Sequence, residues 1–317
     1  MIKSRKDIIL TVLIGLVFPG FMFSLLGEKK ESGTLLSVAP VESTSVTKQQ
    51  VDVLLKDGTV QTMELDEYIT CVVLREMPAD FELEALTAQA IVARTYTLRR
   101  VKKGGKHDNA DVCADSSCCQ GFQSPKDYLD HGGTEELLTK VMNAVSGTNE
   151  EVILYENELI DATYFSCSGG ITEDAVAVWG TDVPYLQATQ SPGEEQATHY
   201  VDTVTFSISE FMQKLSLDTD EPVVIRQITY TAGGGVETIN ICGKEFSGTQ
   251  MRKKLNLRST AFFITVVGNK VTVTTKGFGH RVGMSQYGAD AMAIAGKDCY
   301  EILKHYYQGV EITKYPI

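Results

Sequence analysis

From Ile8 to Gly27 the chain carries no charged residue, and most positions are large and apolar. A helical run of about 20 residues spans roughly 30 Å, the thickness of a bilayer's hydrocarbon core, so this segment predicts one transmembrane helix. Pro19 and Gly20 interrupt it, which membrane helices tolerate. Lys3, Arg5 and Lys6 precede the run, whereas Lys29 and Lys30 behind it are offset by Glu28 and Glu31. The positive-inside rule then leaves residues 1–7 as a cytoplasmic tail and the body outside the cell membrane. A cleaved signal peptide is the competing reading. The nearest small-x-small site, Ser37-Val38-Ala39, lies well past the apolar run and is followed by Pro40, which favours an uncleaved anchor over residues 8–27. Residues 28–49, rich in Ser, Thr, Val and Lys without periodicity, read as a flexible tether.

Beyond the tether the pattern becomes that of a folded body. Val51–Leu55 and Val60–Leu65 flank Lys56-Asp57-Gly58-Thr59 as a hairpin. Asp66 is the expected N-cap of a helix running to about Glu76. Met77 before Pro78 is biased away from helix, which stops it there. A second helix is expected from about Leu83 to Lys103, with Ala85, Ala88, Val92, Tyr96 and Arg99 on one close-packing face. Residues 104–133 lack periodicity and read as a long loop. A helix at Thr134–Ser146 follows, then a hairpin of Val152–Tyr155 and Leu159–Phe165. Residues 201–261 read as an inserted α/β subdomain. Strands at Phe262–Val267 and Lys270–Thr275 and helices at Ser285–Ala295 and Cys299–Tyr307 close the chain. The class is α+β: mostly antiparallel strands with packed helices, a body of residues 50–200 plus 262–317, and the smaller subdomain inserted.

Charge narrows the function. The chain of 317 residues has 29 basic and 41 acidic side chains, a net charge of −12, which argues against general affinity for nucleic acid or acidic lipid. One basic run, Arg94, Arg99, Arg100, Lys102, Lys103 and Lys106, reads as a solvated helix face. Seven cysteines cannot all pair within one chain, and they are too sparse for a disulfide scaffold. Three of them crowd into Cys113–Cys119. Cys113 and Cys118 stand in a Cys-x4-Cys spacing that can share one tetrahedral zinc; a Cys113–Cys118 disulfide and free thiols are the alternatives.

Three ordered blocks carry the chemistry. The first is Arg75-Glu76-Met77-Pro78 with Glu84-Ala85-Leu86-Thr87-Ala88-Gln89-Ala90 and Ala93-Arg94-Thr95-Tyr96. The second is Ser166–Gly170 with Thr172, Glu173 and Val178-Trp179-Gly180. The third is Gly279-His280-Arg281-Val282-Gly283-Met284-Ser285-Gln286-Tyr287-Gly288. Together they resemble the stage II sporulation protein D family of lytic transglycosylases over about residues 50–317. The resemblance implies cleavage of peptidoglycan glycan strands to 1,6-anhydro-muramyl ends during engulfment in endospore formation. It implies peptide-stripped strands as preferred substrate and stage II sporulation proteins P and M as partners, in the mother-cell membrane.

Glycosidic cleavage needs an acid for the leaving oxygen, and a carboxylic acid serves if its pKa is raised. Glu76 sits at a predicted helix C-terminus, where the macrodipole disfavours an anion. A surface Glu paired with Arg75 or Arg94 is the plain alternative, and the resemblance carries the acid/base role onto Glu76. Lytic transglycosylases are implied to need one carboxylate where ordinary glycosidases use two. Glu173, Glu84 and Asp80 are candidate partners whose plainer readings are caps or exposed charge. Arg94, Tyr96, Ser168, Gly169, Gly170, Thr172, Glu173, His280, Gln286 and Tyr287, all within these blocks, are taken as substrate-binding. The resemblance also implies a metal-binding Cys-x4-His at Cys113, from which this chain departs with Cys118. A zinc there is expected to be structural, with no organic cofactor; its set is completed by another side chain, water or partner group, since Cys119 points away if the chain is extended. A non-catalytic glycan-binding module or amidase enhancer is the alternative function. A zinc hydrolase lacks a His-Glu-x-x-His motif.

Overall fold

The computed structural model describes residues 49–217 and 222–315. The expected anchor at Ile8–Gly27 lies outside the described residues; among those described, no helix is long and apolar enough to cross a membrane. The described residues belong to one compact unit.

Strands β1 (Gln50–Leu54) and β2 (Val60–Glu64) form the expected hairpin. Its turn is held by Asp57 Oδ1, which accepts from the Thr59 N–H at 3.0 Å. Helix α1 (Leu65–Glu76) starts one residue before the expected cap: Asp66 lies in its first turn and pairs with Arg94 instead. It stops at Glu76 because Met77, ahead of Pro78, is extended (φ −125°, ψ 138°). Helix α2 (Leu83–Lys102) is buried on nearly every face and packs against α1 and later helices, so it is the central helix of the body. Ala85, Ala88, Ala90 and Ala93 are fully buried, and their small side chains permit those close approaches.

The stretch expected to be irregular is anchored at two points. Strand β3 (Val112–Cys113) pairs parallel to β1, and α3 (Pro125–Asp130) is capped by Ser124. Next come α4 (Glu135–Gly147), β4 (Glu151–Tyr155), β5 (Glu158–Leu159), β6 (Tyr164–Phe165) and α5 (Ala175–Trp179). The second half of the body holds β7 (Val201–Ser207), α6 (Ile208–Leu215), β8 (Ile225–Tyr230), β9 (Val236–Ile241), β10 (Lys244–Ser247), α7 (Gly248–Leu255), β11 (Phe262–Val267) and β12 (Lys270–Lys276). It ends with β13 (Met284–Ser285), α8 (Gln286–Ile294), α9 (Cys299–Tyr306) and β14 (Glu311–Lys314). The class is α+β with mostly antiparallel pairing; only β1 with β3 and β6 with β13 run parallel among the described strands.

Two hydrophobic cores result. The main one is built on α1, α2, α4 and α9, and the second belongs to the insert. The insert's boundary differs from the expected 201–261. Val271 and Val273 on β12 and Phe262 on β11 bury themselves with Phe211, Met251 and Ile239 in the second core. Strand β12 also pairs with β7 from Lys270↔Ser207 to Lys276↔Val201, which sets the insert's entry and exit side by side. The insert therefore extends through residue 276, a long-range pairing that local patterning does not reveal.

Candidate functional site

Glu76 closes α1 at the wall of a cleft of about 760 Å³. Its Oε1 accepts from the Gly121 N–H, and its main-chain carbonyl accepts from Gln286 Nε2 at 2.9 Å. A Cβ on Gly121 would stand 2.8 Å from Glu76 Oε1 and 2.5 Å from Arg75 Cγ, so only glycine lets this backbone reach the carboxylate. Burial pushes the Glu76 carboxyl above the ordinary glutamate value, against the downward pull of the Gly121 N–H, Arg75 and Tyr164. Tyr164 donates to Gln120 Oε1 at 3.3 Å, and Gln120 is fixed in turn by Thr97 at 3.1 Å. Burial holds the Tyr164 phenol well above its usual range, so its hydroxyl keeps its proton. Among the residues that line the cleft, Glu76 is the one carboxylate.

The facing wall is aromatic. His280 stands between Phe165 and Trp179, ring centroids 5.6 and 5.4 Å away. Burial pushes its imidazole down to about 4, so it is neutral. Its Nδ1 accepts from the Val282 N–H at 3.1 Å, which leaves the proton on Nε2. His280 thus serves as a fixed uncharged plate and takes up no second proton in the working range. Trp179 is 45% exposed beside it.

One edge of the cleft meets a cluster of donors. His107, Cys113, Cys118 and Cys119 place one ligand atom each within 4.8 Å of one another. His107 Nε2 lies 3.8 Å from Cys118 Sγ and 3.6 Å from Cys119 Sγ. All seven cysteines are unpaired. Cys119 turns inward, contrary to expectation, because the chain there is a tight turn: the N–H groups of Cys118 and Cys119 both bond to the Asp115 carbonyl, at 3.0 and 2.8 Å. One imidazole and three thiols at this separation are a donor set suited to a tetrahedral metal such as zinc. His107 completes what Cys113 and Cys118 began; the signal was its position six residues ahead of Cys113, just after Gly104-Gly105.

The family model described as stage II sporulation protein matches residues 56–155. The stage II sporulation protein D of Bacillus amyloliquefaciens is 41% identical over 81% of this chain and 76% of its own length; that of Bacillus subtilis is 40% identical over the same shares. The chain belongs to the stage II sporulation protein D family. The amidase enhancer of Bacillus subtilis is similar at 29% identity over 77% of this chain and 40% of its own length.

Within this member of the family, four of the expected site residues meet in the cleft: Glu76, Tyr96, His280 and Gln286. The others are placed elsewhere. Arg94 is 1% exposed and bonds Asp66 Oδ1 at 2.7 Å and the Thr148 hydroxyl, tying α1, α2 and the end of α4 together. Ser168, Gly169 and Gly170 wrap Glu194, whose Oε2 accepts from the Ser168 hydroxyl at 2.7 Å and the Gly169 N–H at 2.9 Å. The same carboxylate takes Ser191 and Ser285, so this buried acid fixes the loop against the start of α8. Thr172 bonds Thr189, and Tyr287 packs edge-on against Phe81.

Glu173 is buried against Arg281 at 3.0 Å, and its Oε1 also accepts from the Gly235 N–H of the insert at 3.0 Å. That pair docks the insert, since Arg281 reaches the Gly233 carbonyl at 2.6 Å as well. Of the other carboxylates considered, Glu84 Oε2 accepts from the Cys299 N–H at 2.8 Å and Asp80 is exposed. Neither lines the cleft. Sequence patterning missed Tyr164, Gln120 and Gly121, which are brought to Glu76 only by the folded loop.

Proposed function

We propose that this protein is a lytic transglycosylase that cleaves peptidoglycan glycan strands between N-acetylmuramic acid and N-acetylglucosamine. The observation that carries this reading is one carboxylic acid with a raised pKa in a large cleft that no second carboxylate lines among the described residues. A hydrolase of the usual kind needs two, about 5–9.5 Å apart. With one, the nucleophile must come from the substrate. Protonated Glu76 gives its proton to the glycosidic oxygen as the bond to the muramyl C1 breaks. The muramyl C6 hydroxyl then attacks C1, and the Glu76 carboxylate takes up the hydroxyl proton. The products are a free N-acetylglucosamine 4-hydroxyl and a 1,6-anhydro-muramyl end; no water is consumed, and Glu76 is restored. The Gly121 N–H holds the carboxylate through both steps.

The family likeness supports a role in engulfment during endospore formation, on strands stripped of peptide by a separate amidase. Stage II sporulation proteins P and M are the proposed partners, and the body is placed outside the cell membrane on its anchor. His107, Cys113, Cys118 and Cys119 are proposed to hold one structural zinc. When bound, the ion would lock the loop that presents Gln120 and Gly121 to the acid.

Mass spectrometry of digested strands tests the reaction. Anhydro-muramyl ends are expected; reducing ends would make the protein a hydrolase, and intact strands a glycan-binding or amidase-enhancing module. Metal analysis of protein purified without chelator should give about one zinc per chain, lost in Cys113→Ser together with thermal stability.

A further inference from the structure

Among the described residues that line the cleft, Arg75, the residue before Glu76, is the one arginine or lysine. Arg75 is exposed at the rim, in the last turn of α1, and no hydrogen bond or ion pair from its side chain is found among the described residues. Its stem is nonetheless seated. Its Cγ lies over Gly121, the residue whose N–H binds Glu76, so one piece of backbone positions both the acid and the foot of the arginine. On the facing wall burial keeps His280 neutral, while Arg258 and Arg100 are engaged over the rings of Phe278 and Tyr96. A chain with a net charge of −12 repels polyanions as a whole, so recognition of an anion in this cleft needs a local cation. The planar fork of donors of an arginine open to solvent suits a carboxylate.

We propose that Arg75 receives the lactyl carboxylate of the muramyl sugar whose glycosidic bond Glu76 protonates, and so makes the site select strands from which the stem peptide has been removed. This rests on the glycan-cleaving reading above. On a peptide-bearing strand the lactyl carboxyl is tied into an amide and carries no charge. Removal of the peptide exposes one carboxylate on C3 of the same sugar whose C1 is attacked. The scissile bond and the anion are then about one sugar ring apart, a distance that a glutamate and the long side chain of its neighbour can serve together. The selectivity for stripped strands is thereby built into the site itself and needs no partner protein.

The test compares kcat/KM on three substrates: peptide-free strands, the same strands with their lactyl carboxyls methyl-esterified, and peptide-bearing strands. The parent protein should prefer the free acid over the ester by about tenfold, the size of a charge-assisted contact. Arg75→Ala should flatten that preference through KM, and Arg75→Lys should keep part of it. Equal loss on all three substrates would overturn the proposal in favour of a general effect on Glu76. Loss confined to peptide-bearing strands would show that Arg75 reads the stem peptide, and no loss at all would remove it from recognition. Binding of the same three substrates to Glu76→Gln protein, with and without Arg75→Ala, separates the two readings. If the parent makes no anhydro ends, the cleavage reading fails while the carboxylate preference in binding is still measured.

Discussion

Glu76 combines two demands that oppose each other. It must be buried enough to hold a proton, yet near enough to donors to be stable once the proton has left. Burial dominates and raises its pKa, while the Gly121 N–H, Arg75 and Tyr164 limit the rise. The proposed acid role requires the protonated form, so cleavage should fall as pH rises through the raised pKa. Stability follows the same sign. The folded state binds this proton more tightly than the unfolded chain, so the contribution is fully present below the ordinary glutamate value and is lost as pH rises through the folded value. Glu76→Gln keeps the shape and removes the titration. Its melting temperature at neutral pH should match or exceed the parent's, and the parent's advantage should appear only under acid. Cleavage by the variant should drop by about 10²–10⁴, the usual worth of a general acid; a folded variant with near-parental turnover would remove Glu76 from the chemistry. The place of Glu76 at a helix end was legible in the sequence because the end of α1 and Pro78 are local signals, whereas its acid/base role came from the family resemblance. Arg94 was misplaced because its partner Asp66 lies 28 positions away, and an arginine in a basic run gives no sign that α2 will be surrounded.

At the level of elements, the site depends on two loops pressed against helix ends. Gly121 brings a backbone N–H to the end of α1, and any side chain there must displace Arg75 Cγ or the Glu76 carboxylate. Gly121→Ala should therefore reduce kcat on glycan far more than it lowers the melting temperature, since the added methyl meets the side chains of Arg75 and Glu76 and not the hydrophobic core. Parallel losses of activity and stability would mean that the loop supports the fold and not the acid. The second loop, Cys167–Glu173, is held by two buried carboxylates, Glu194 and Glu173. Glu173→Ala leaves Arg281 buried without its counter-charge, which should cost about 3–5 kcal/mol, read in urea unfolding. The helices and hairpins were legible, since their periodicities and caps are local. The roles of the Ser168–Gly170 loop and of Glu173 were not. A polar Gly-rich loop looks the same in sequence whether it binds a sugar or wraps a buried acid.

At the scale of the molecule, two hydrophobic cores share one compact body among the described residues. The insert's first and last strands, β7 and β12, are paired along their full length, so the insert closes on itself before the chain returns to the body. The clamp of Glu173, Arg281, Gly233 and Gly235 then joins it to the loop beside the cleft. This arrangement leads to a prediction about independence. The body's cores, the cleft and the four-residue donor cluster all lie within residues 49–315, so a protein of residues 47–317 should fold, stay soluble and keep its activity on peptide-free strands in detergent-free buffer. Unfolding should be a single transition in that fragment, because separating the cores exposes the Glu173–Arg281 pair. In Glu173→Ala the same fragment should lose that coupling and melt in two steps, the insert first. Circular dichroism and tryptophan fluorescence read the two events separately, since Trp179 reports the body next to the cleft. An insoluble or lipid-dependent fragment would show that the segment before Thr47 is part of the working fold and not merely its attachment. A fragment that melts in two steps even with Glu173 intact would show that the insert is an independent domain and that the buried pair orients it without contributing to cooperativity.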